Sequence, residues 1–278
     1  MLHGKKLRER FQQPGILIAA GAHDCLGARL FEQAGFEAIY MTGNGVSASM
    51  LGAPDIGLLT MSEMASQASR MQSAVNIPVI ADADTGYGNV NNVARTVREY
   101  ELAGVAAIQL EDQVTPKRCG AMAGVAVISV EEAQDKIRTA VSARQNPDAM
   151  LIIGRSDARK VSGFEDALRR GKAYAAAGAD IVFIEMLQSK EEIQCVANEI
   201  PVPVMFNALE GRTVPVSASE LEAMGVKILS YPLSSTLVYA QSIKSLAPGL
   251  RRDGVSQIAL PHMEVGEYEQ VLGIGTYS

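Results

Sequence analysis

The sequence has no tryptophan and only three cysteines, Cys25, Cys119 and Cys195. The missing tryptophan excludes nothing, but three widely spaced cysteines do not make a disulfide framework, so we expect free thiols and a reducing, cytoplasmic location. The chain also lacks any apolar run that approaches the ~20 residues of a membrane-spanning helix. Its start, MLHGKKLRERFQQ, is charged and has no apolar core of the kind found in a signal peptide. We therefore expect neither a secreted nor a membrane-embedded protein.

Basic and aromatic clusters are missing as well. The 31 acidic residues outnumber the 25 lysines and arginines, which gives a formal net charge of −6. A mildly acidic chain without a basic run has no electrostatic reason to bind nucleic acid or an anionic membrane. We expect a small molecule, and neither of these, as the partner.

The sequence does contain a regular alternation of short runs rich in isoleucine and valine with longer stretches of helical period. Near-continuous apolar runs are typical of parallel strands that helices cover. The length of 278 residues is close to the roughly 250 residues of a (β/α)8 barrel. The candidate strands are ILIAAGA from Ile16, AIYMTG from Ala38, PVIADAD from Pro78, AAIQLED from Ala106, LIIGRSDA from Leu151, IVFIEM from Ile181, PVMFNAL from Pro203 and KILSYPL from Lys227.

Between these runs, capping residues mark where helices start, and glycines in a left-handed conformation are expected where four of them end. The predicted helices are 25–34 after Asp24, 60–75 from Thr60, 91–103, one that Ser129 and Glu132 open with a capping box, 164–177, one that Ser189 opens, 217–224 and 234–246. The glycines that follow helices are Gly35, Gly104, Gly178 and Gly225.

Repeated helix–glycine–strand units indicate either a barrel or a doubly wound sheet, and periodicity alone does not separate the two. Eight strands favour the closed barrel. We therefore predict an α/β protein with one (β/α)8-barrel (TIM-barrel) domain over residues 1–278. Residues 247–278 are expected to be a C-terminal helical extension that packs elsewhere, with a neighbouring subunit as one candidate.

Polar residues collect at the carboxyl ends of the predicted strands, where barrel enzymes place their chemistry. Asp82 and Asp84 end the third strand, and residues two apart on a strand share one face. Two adjacent carboxylates repel, and Mg²⁺ resolves the repulsion because it prefers one or two carboxylates with waters and substrate oxygens. Glu111 and Asp55 are further candidate ligands. The alternative is a set of strand-end acids that cap neighbouring helices.

A second cluster, EDQVTPKRCG over residues 111–120, runs from a strand end into a long loop of the kind that forms lids. Lys117 and Arg118 precede Cys119, and neighbouring cations favour a thiolate. We predict that these three residues meet an anionic intermediate as it takes up a proton. The alternative is an ordinary small residue in a basic loop.

Three further strand-end residues suit carboxylate chemistry. Arg155 offers a planar fork that matches a carboxylate, and the amide of Asn207 can donate to an oxygen. Glu185 has three open roles: it orients Arg155, it acts as a base, or it forms a buried ion pair.

In this order the motifs resemble the isocitrate lyase/phosphoenolpyruvate mutase superfamily over nearly the whole chain. The residues that carry the resemblance are AIYMTGNGVSAS, the Pro54-Asp55 loop, ADADTGYGN, LEDQVTPKRCG, Arg155, Glu185, Asn207 and YPLS at Tyr231. The chain looks most like the small bacterial lyase branch, which includes 2-methylisocitrate lyase and 2,3-dimethylmalate lyase. DADTGYG followed by the PKRCG loop is highly specific for this group.

The resemblance implies a TIM barrel that assembles as a homotetramer, a dimer of dimers, with the C-terminal helix exchanged between paired subunits. It implies Mg²⁺, with Mn²⁺ as an alternative, held at Asp82 and Asp84 and through water at Asp55 and Glu111.

The resemblance also implies roles for the other motif residues. Thr42, Gly43 and Asn44 would bind the carboxylate of a 2-oxo acid, and Arg155, Asn207 and Gly120 would contact the substrate. The thiol of Cys119 would protonate the carbanion that carbon–carbon cleavage makes, with Lys117, Arg118 and Glu185 as the other catalytic candidates.

Two departures from the family pattern bear on the substrate. Relatives usually read KRCGH, but Ala121 follows Gly120 here, and no arginine follows Tyr231 in YPLSSTLV. A tricarboxylate would lose a partner for one carboxylate, and an unpaired buried charge is costly. We therefore expect a smaller, more apolar diacid such as a substituted malate.

The resulting hypothesis is a Mg²⁺-dependent carbon–carbon lyase. It would cleave a substituted 2-hydroxy diacid of the 2,3-dimethylmalate or 2-methylisocitrate type to a 2-oxo acid such as pyruvate plus a carboxylic acid. The alternatives are an oxaloacetate hydrolase or decarboxylase, a carboxyphosphonoenolpyruvate-type phosphonomutase, and a non-catalytic barrel that binds diacids.

Overall fold

The computed structural model describes residues 2–254 and 260–276. Its strands are β1 (Leu17–Ala22), β2 (Ala38–Met41), β3 (Val79–Asp82), β4 (Ala107–Glu111), β5 (Leu151–Ser156), β6 (Ile181–Ile184), β7 (Val204–Asn207) and β8 (Ile228–Tyr231). Each strand pairs in parallel with the next, and β1 pairs with β8, so the sheet closes. The predicted barrel is confirmed, and the doubly wound alternative is excluded.

Helices surround this barrel and connect its strands. They are α1 (His3–Phe11), α2 (Cys25–Gln33), α3 (Gly43–Leu51), α4 (Met61–Ala74), α5 (Val90–Leu102), α6 (Val130–Ala143), α7 (Ala158–Ser162), α8 (Phe164–Ala176), α9 (Lys190–Glu199), α10 (Ala218–Ala223), α11 (Ser234–Asp253) and α12 (Val265–Val271), with a 3₁₀ turn at Ile274–Thr276. No helix in the described part of the chain is long and apolar enough to cross a membrane.

The local signals for helix ends are confirmed. Thr60 and Ser217 form capping boxes, while the hydroxyl of Ser129 accepts from the backbone N–H of Glu132, which is one half of the predicted box. The glycines expected after helices have φ angles between 78° and 99°: Gly35, Gly104, Gly178 and Gly225. These caps end each helix and turn the chain into the next strand.

Three helices were not predicted from the sequence: α1, α3 and α7. The pattern of α3 is hidden because its first turn is made of small residues, and α1 lies in the charged N-terminal segment. Leu7 and Phe11 of α1 pack against the residues that all eight strands direct into the barrel interior. This filled interior confines a ligand site to the barrel ends.

The C-terminal region differs from its prediction in one boundary. Helix α11 runs to Asp253, so it is continuous across residue 247, where the extension was predicted to begin. Helix α12 contacts α2 of the same chain. Residues 255–259, 277 and 278 of the predicted extension lie outside the described residues.

Candidate active site

A polar pocket opens at the carboxyl ends of the strands. The side chains and loops that form it come from β2 to β8, as expected for a barrel enzyme. Its lining residues are Tyr40, Thr42, Asn44, Asp55, Asp82, Lys117, Cys119, Gly120, Ala121, Arg155, Glu185, Asn207, Leu209, Pro232 and Leu233. Most of the residues singled out in the sequence are therefore brought together.

Asp82 and Asp84 are neighbours for a reason that the strand pattern did not predict. Strand β3 ends at Asp82, and Asp84 has a φ of 47°, so the shared strand face expected for the pair does not exist. A turn places them together instead, with the backbone N–H of Asp84 donating to Oδ1 of Asp82 at 3.0 Å. Asp82 lines the pocket, whereas Asp84 lies behind Lys117.

Lys117 reaches from the loop into these acids. Its Nζ lies 2.7 Å from Oδ1 of Asp55 and 2.6 Å from Oδ1 of Asp84, and its side chain is 4% exposed. Burial would lower the pKa of Lys117, but the nearby carboxylates, Asp84 and Glu111 foremost, raise it well above its usual value. The ammonium therefore stays charged and holds the loop against the acids.

Arg155 is surrounded by carboxylates. Its Nε and one terminal nitrogen donate to both oxygens of Asp157, at 2.9 and 2.8 Å. Glu111 and Glu185 approach the guanidinium at 3.4 and 3.3 Å, and the ring of Phe183 lies beneath it, 5.3 Å away. The fork predicted to face a substrate carboxylate thus already binds Asp157, although the side chain still lines the pocket.

Glu185 and Asn207 form a hydrogen-bonded pair at the back of the pocket. The amide of Asn207 donates to Oε2 of Glu185 at 3.4 Å, and the hydroxyl of Ser230 donates to the amide oxygen of Asn207. Burial raises the pKa of Glu185, while Arg155 lowers it. Both the ion-pair reading and a basic role are compatible with this position.

The start of α3 lies against Asp82. Thr42 caps the helix, and Thr42 and Asn44 both line the pocket. A Cβ at Gly43 would lie 2.5 Å from Oδ2 of Asp82. Glycine at this position therefore lets the helix start approach the carboxylate closely.

The loop over residues 113–127, here called the lid, folds over the pocket. The backbone N–H of Cys119 donates to the carbonyl of Asp55 at 2.9 Å. A Cβ at Gly120 would lie 2.3 Å from Oδ1 of Asp157. The close approach that glycine permits places the half-buried thiol of Cys119 in the pocket lining.

The charge expected around Cys119 is different in the structure. Arg118 is exposed and is not among the residues that line the pocket, so the structure does not bring it to the site and its catalytic role stays a prediction. The ammonium of Lys117 is engaged by Asp55 and Asp84. Burial raises the pKa of the Cys119 thiol, which opposes the thiolate expected from the sequence. A protonated thiol is a proton donor.

The geometry above is that of a known family. The family model for phosphoenolpyruvate phosphomutase matches residues 7–250. The chain belongs to the phosphoenolpyruvate mutase family. The superfamily resemblance seen in the motifs is thereby confirmed.

Relatives of this phosphoenolpyruvate mutase family member are named lyases. The chain is 47% identical to 2,3-dimethylmalate lyase of Eubacterium barkeri over 97% of its own length and 93% of that protein. It is 43% identical to 2-methylisocitrate lyase of Aeropyrum pernix over 89% of its own length and 79% of that protein. The predicted enzyme class, a lyase of this superfamily, agrees with both.

Solved structures agree over almost the whole chain. Oxaloacetate acetylhydrolase in complex with 3,3-difluorooxalacetate superposes with a TM-score of 0.94 and 32% identity, covering 99% of this chain and 94% of the other. Phosphonopyruvate hydrolase in complex with oxalate and Mg²⁺ gives a TM-score of 0.88 and 32% identity, covering 100% and 97%. The family fold therefore accommodates several reactions.

The buried charge of this site is unbalanced. Six carboxylates surround the two cations Lys117 and Arg155. They are Asp55, Asp82, Asp84, Glu111, Asp157 and Glu185. Such an excess of buried negative charge requires neutralisation by protons or by a further cation.

The acids respond to this imbalance. Burial raises the pKa of Asp84 to about 6, although Lys117 opposes the shift. Burial also raises the pKa of Glu111 well above its usual value, and one of its oxygens, Oε1, is buried without a hydrogen bond. Hard oxygen donors with an unmet need for positive charge fit Mg²⁺.

The four predicted ligands do not converge into a closed cage. In residues 2–254 and 260–276, no group of three or more His, Cys, Asp or Glu side chains is close enough to hold a metal ion. Lys117 lies between Asp55 and Asp84. Mg²⁺ commonly binds through one or two carboxylates and several waters, so the donor set fits that ion better than a metal that requires an all-protein cage.

Sequence reasoning missed three features of the site. Tyr40 lies on β2, two residues before the polar run at Thr42, and its hydroxyl donates to Gln109 at 3.3 Å. Asp157, within the LIIGRSDA run, was given no role, although its position two residues after Arg155 was a usable signal. The apolar wall had no signal in polar motifs: Leu209, Pro232 and Leu233.

Proposed function

We propose that this protein is a Mg²⁺-dependent carbon–carbon lyase, with Mn²⁺ as an alternative metal, that cleaves a small substituted 2-hydroxy diacid. The observation that carries the proposal is the position of Cys119, a half-buried thiol whose pKa is raised by burial, in the same pocket as Asp82, Arg155 and Glu185. A proton donor above a set of anion- and metal-binding groups suits a reaction that makes a carbanion beside a carboxylate. The named activities of the relatives point to the same class.

The metal would be held by Asp82 and Asp84, with Asp55 and Glu111 binding its waters. When bound, Mg²⁺ supplies a Lewis acid that stabilises developing oxyanion charge on the substrate. Lys117 would then give up its place between Asp55 and Asp84. The oxygens of these acids, including the unpaired Oε1 of Glu111, support the assignment.

The chain's own residues would bind and orient the diacid. Thr42, Gly43 and Asn44 would hold the carboxylate next to the hydroxyl-bearing carbon, at the start of α3. Arg155 and Asn207 would contact the substrate from the opposite strands, and Gly120 would close the lid over it. The helix start favours an anion here because its N–H groups point outward.

Proton transfers would be made by two side chains. Glu185, whose pKa is raised by burial, would remove the hydroxyl proton at its carboxylate. The C2–C3 bond breaks, C2 becomes the keto carbon of the 2-oxo acid, and the electron pair passes to C3. Cys119 would deliver its Sγ proton to C3. For 2,3-dimethylmalate the products balance as pyruvate and propionate.

The wall of the pocket favours a diacid with alkyl substituents. Leu209, Pro232 and Leu233 line it, and the run YPLSSTLV that supplies two of them has no arginine. Ala121 contributes a methyl group where many relatives have histidine. A third carboxylate would find no cation on this wall, so we propose 2,3-dimethylmalate above 2-methylisocitrate.

The test is an assay of purified protein with Mg²⁺ and either 2,3-dimethylmalate or 2-methylisocitrate, monitoring pyruvate. We expect pyruvate from 2,3-dimethylmalate and much less from 2-methylisocitrate, and loss of turnover when a chelator removes the metal. Failure to release pyruvate from either compound would contradict the named substrates. Full turnover in a chelator would contradict the metal.

A second candidate is hydrolysis or decarboxylation of oxaloacetate. The superposition with oxaloacetate acetylhydrolase favours it. Oxalate and acetate formed from oxaloacetate would identify the hydrolase, whereas pyruvate and carbon dioxide would identify the decarboxylase. The named activities of the relatives, 2,3-dimethylmalate lyase and 2-methylisocitrate lyase, favour the lyase over both.

We also propose a cytoplasmic homotetramer, a dimer of dimers, made of one barrel domain with an exchanged C-terminal helix. The support is apolar surface on α11 and α12: Leu237, Val238, Tyr239 and Val265 are 49%, 65%, 58% and 72% exposed. Exposed apolar side chains of this kind are typical of interfaces. Light scattering on the purified protein tests the subunit number, and a monomer would contradict it.

A further inference from the structure

Asp112 is a buried carboxylate that does not line the pocket and has no role in the chemistry above. It follows directly after β4 and is 2% exposed. Its carboxylate accepts hydrogen bonds from the backbone N–H of Asp157 at 2.8 Å, the hydroxyl of Ser156 at 2.8 Å, the guanidinium of Arg170 at 3.1 Å and the hydroxyl of Tyr174 at 2.5 Å. Four hydrogen bonds to a buried charge hold the carboxylate in one position.

One series of hydrogen bonds leads from Asp112 to Arg155. Asp112 holds the backbone of Asp157, and the carboxylate of Asp157 holds the Arg155 fork through two hydrogen bonds. The position of the guanidinium in the pocket therefore depends on Asp112 through one intermediate residue.

A second series of hydrogen bonds connects Asp112 to the lid. The lid leaves the barrel after Asp112 and returns at Ile128, whose N–H donates to the carbonyl of Asp112 at 2.9 Å. The guanidinium of Arg170, from α8, donates to the carbonyl of Ile128 at 2.9 Å as well as to the Asp112 carboxylate. Arg170 thus binds both ends of the loop that carries Cys119.

We propose that Asp112 and Arg170 form a shared anchor for the lid and for Arg155, and that both are positioning residues for the reaction. The anchor fixes the distance between the thiol of Cys119 and the groups at the ends of β5 and β6. Its part in turnover rests on the proposed function, whereas its part in holding the lid does not.

The chain offers a matched control for Arg170. Arg144 is also buried, and one of its terminal nitrogens likewise donates to a carboxylate and a carbonyl, Asp180 at 2.6 Å and Met150 at 3.0 Å. It lies at the opposite end of the barrel. Arg170→Met and Arg144→Met each remove a buried guanidinium, so both should lower stability, but only Arg170→Met releases the lid.

The first measurement uses no substrate. Iodoacetamide modification of each cysteine is followed by peptide mass spectrometry, with Cys25 and Cys195 as internal references. Loss of hydrogen bonds to a charged group should speed modification of Cys119 by about tenfold in Arg170→Met and leave it near the wild-type rate in Arg144→Met. Tyr174→Phe, which removes one hydrogen bond and keeps the ring, should give a smaller increase and serves if Arg170→Met does not fold.

The second measurement is turnover of 2,3-dimethylmalate. In Arg170→Met we expect kcat to fall by about tenfold while KM stays near the wild-type value, because Asp112 still holds Asp157. Arg144→Met should keep both constants. Equal Cys119 modification rates in wild-type protein, Arg170→Met and Tyr174→Phe would overturn the anchor. If the wild type did not turn over 2,3-dimethylmalate but Cys119 were still modified faster in Arg170→Met than in the wild type, the anchor would be supported. Only the proposed function would then be refuted.

Discussion

The two ends of the barrel hold buried charge in opposite ways. At the N-terminal end, Asp180 lies 2.7 Å from Arg8 and 2.6 Å from Arg144 and also accepts the backbone N–H of Ile152. At the C-terminal end, six carboxylates surround Lys117 and Arg155. At the N-terminal end, the two arginines compensate the charge of Asp180. At the C-terminal end, the acids outnumber the cations and leave negative charge that a ligand can neutralise.

Backbone geometry follows the same division. The described non-glycine residues with positive φ are Asp84, Tyr87 and Met186, and all three follow the carboxyl ends of β3 or β6. Such conformations persist where the surrounding structure imposes them. In this protein, strain and excess charge occur at the same end of the barrel, whereas the opposite end contains the packing of α1 against the interior.

The largest expected effect is a loss of activity on changing a site residue that leaves the rest of the fold unaffected. Cys119→Ser should lower kcat by about 10²–10⁴, the usual contribution of a positioned proton donor, because serine is a far weaker acid. Steady-state assay with 2,3-dimethylmalate measures it, and calorimetric binding of oxalate should be retained. Cys195→Ser, on the outer helix α9, is the matched control. If this variant lost as much turnover as Cys119→Ser, the assignment of Cys119 as the proton donor would be contradicted.

The next effect is a loss of stability at the N-terminal end of the barrel, where the buried charges are compensated. Asp180→Ala leaves Arg144 buried without its carboxylate, so we expect the free energy of unfolding to fall by about 3 kcal/mol, with kcat unchanged. Urea denaturation measures the loss. If stability did not change, the N-terminal ion pairs would not be what stabilises that end.

The opposite change at the site should stabilise the protein. In a chelator, Glu111→Gln removes a buried charge that Arg155 meets only at 3.4 Å, so we expect a gain of about 1 kcal/mol, or about 2–4 °C in Tm. Mg²⁺ should raise the Tm of the wild type more than that of the variant. Destabilisation by this substitution would show that the site acids are not in excess.

The last prediction is a pH dependence of stability. Because burial raises the pKa of Asp84 to about 6 from 3.8, the folded state binds a proton more tightly than the unfolded state. The stabilisation is complete below the unfolded value and is lost as the pH rises through about 6. Without divalent cations, wild-type stability relative to Asp84→Asn should therefore fall between pH 4 and about 7.

Urea denaturation of both proteins across this range gives the difference directly. Saturating Mg²⁺ should reverse its sign, since the metal binds the ionised carboxylate. A difference that did not vary with pH in the chelator would contradict the raised pKa.

Much of the site could be predicted because strand ends are visible in the sequence. Asp82, Arg155, Glu185 and Asn207 each follow an apolar run, and all line the pocket. The position of Arg118 outside the pocket could not be predicted, because a residue's place in a loop depends on how the loop folds, which no local pattern records. Its neighbours Lys117 and Cys119 turn into the pocket, whereas Arg118 is exposed.

Local composition alone determined the eight strands, the helix caps and the glycines after the helices, because these depend on residues within a few positions of each other. Only the tertiary structure decided which partner each charge would find. Asp157 rather than a ligand binds the Arg155 fork, Lys117 lies between two acids, and burial raises the pKa of the Cys119 thiol. Electrostatic energies depend on distance and burial in three dimensions, so the same residues could have been paired differently in another packing.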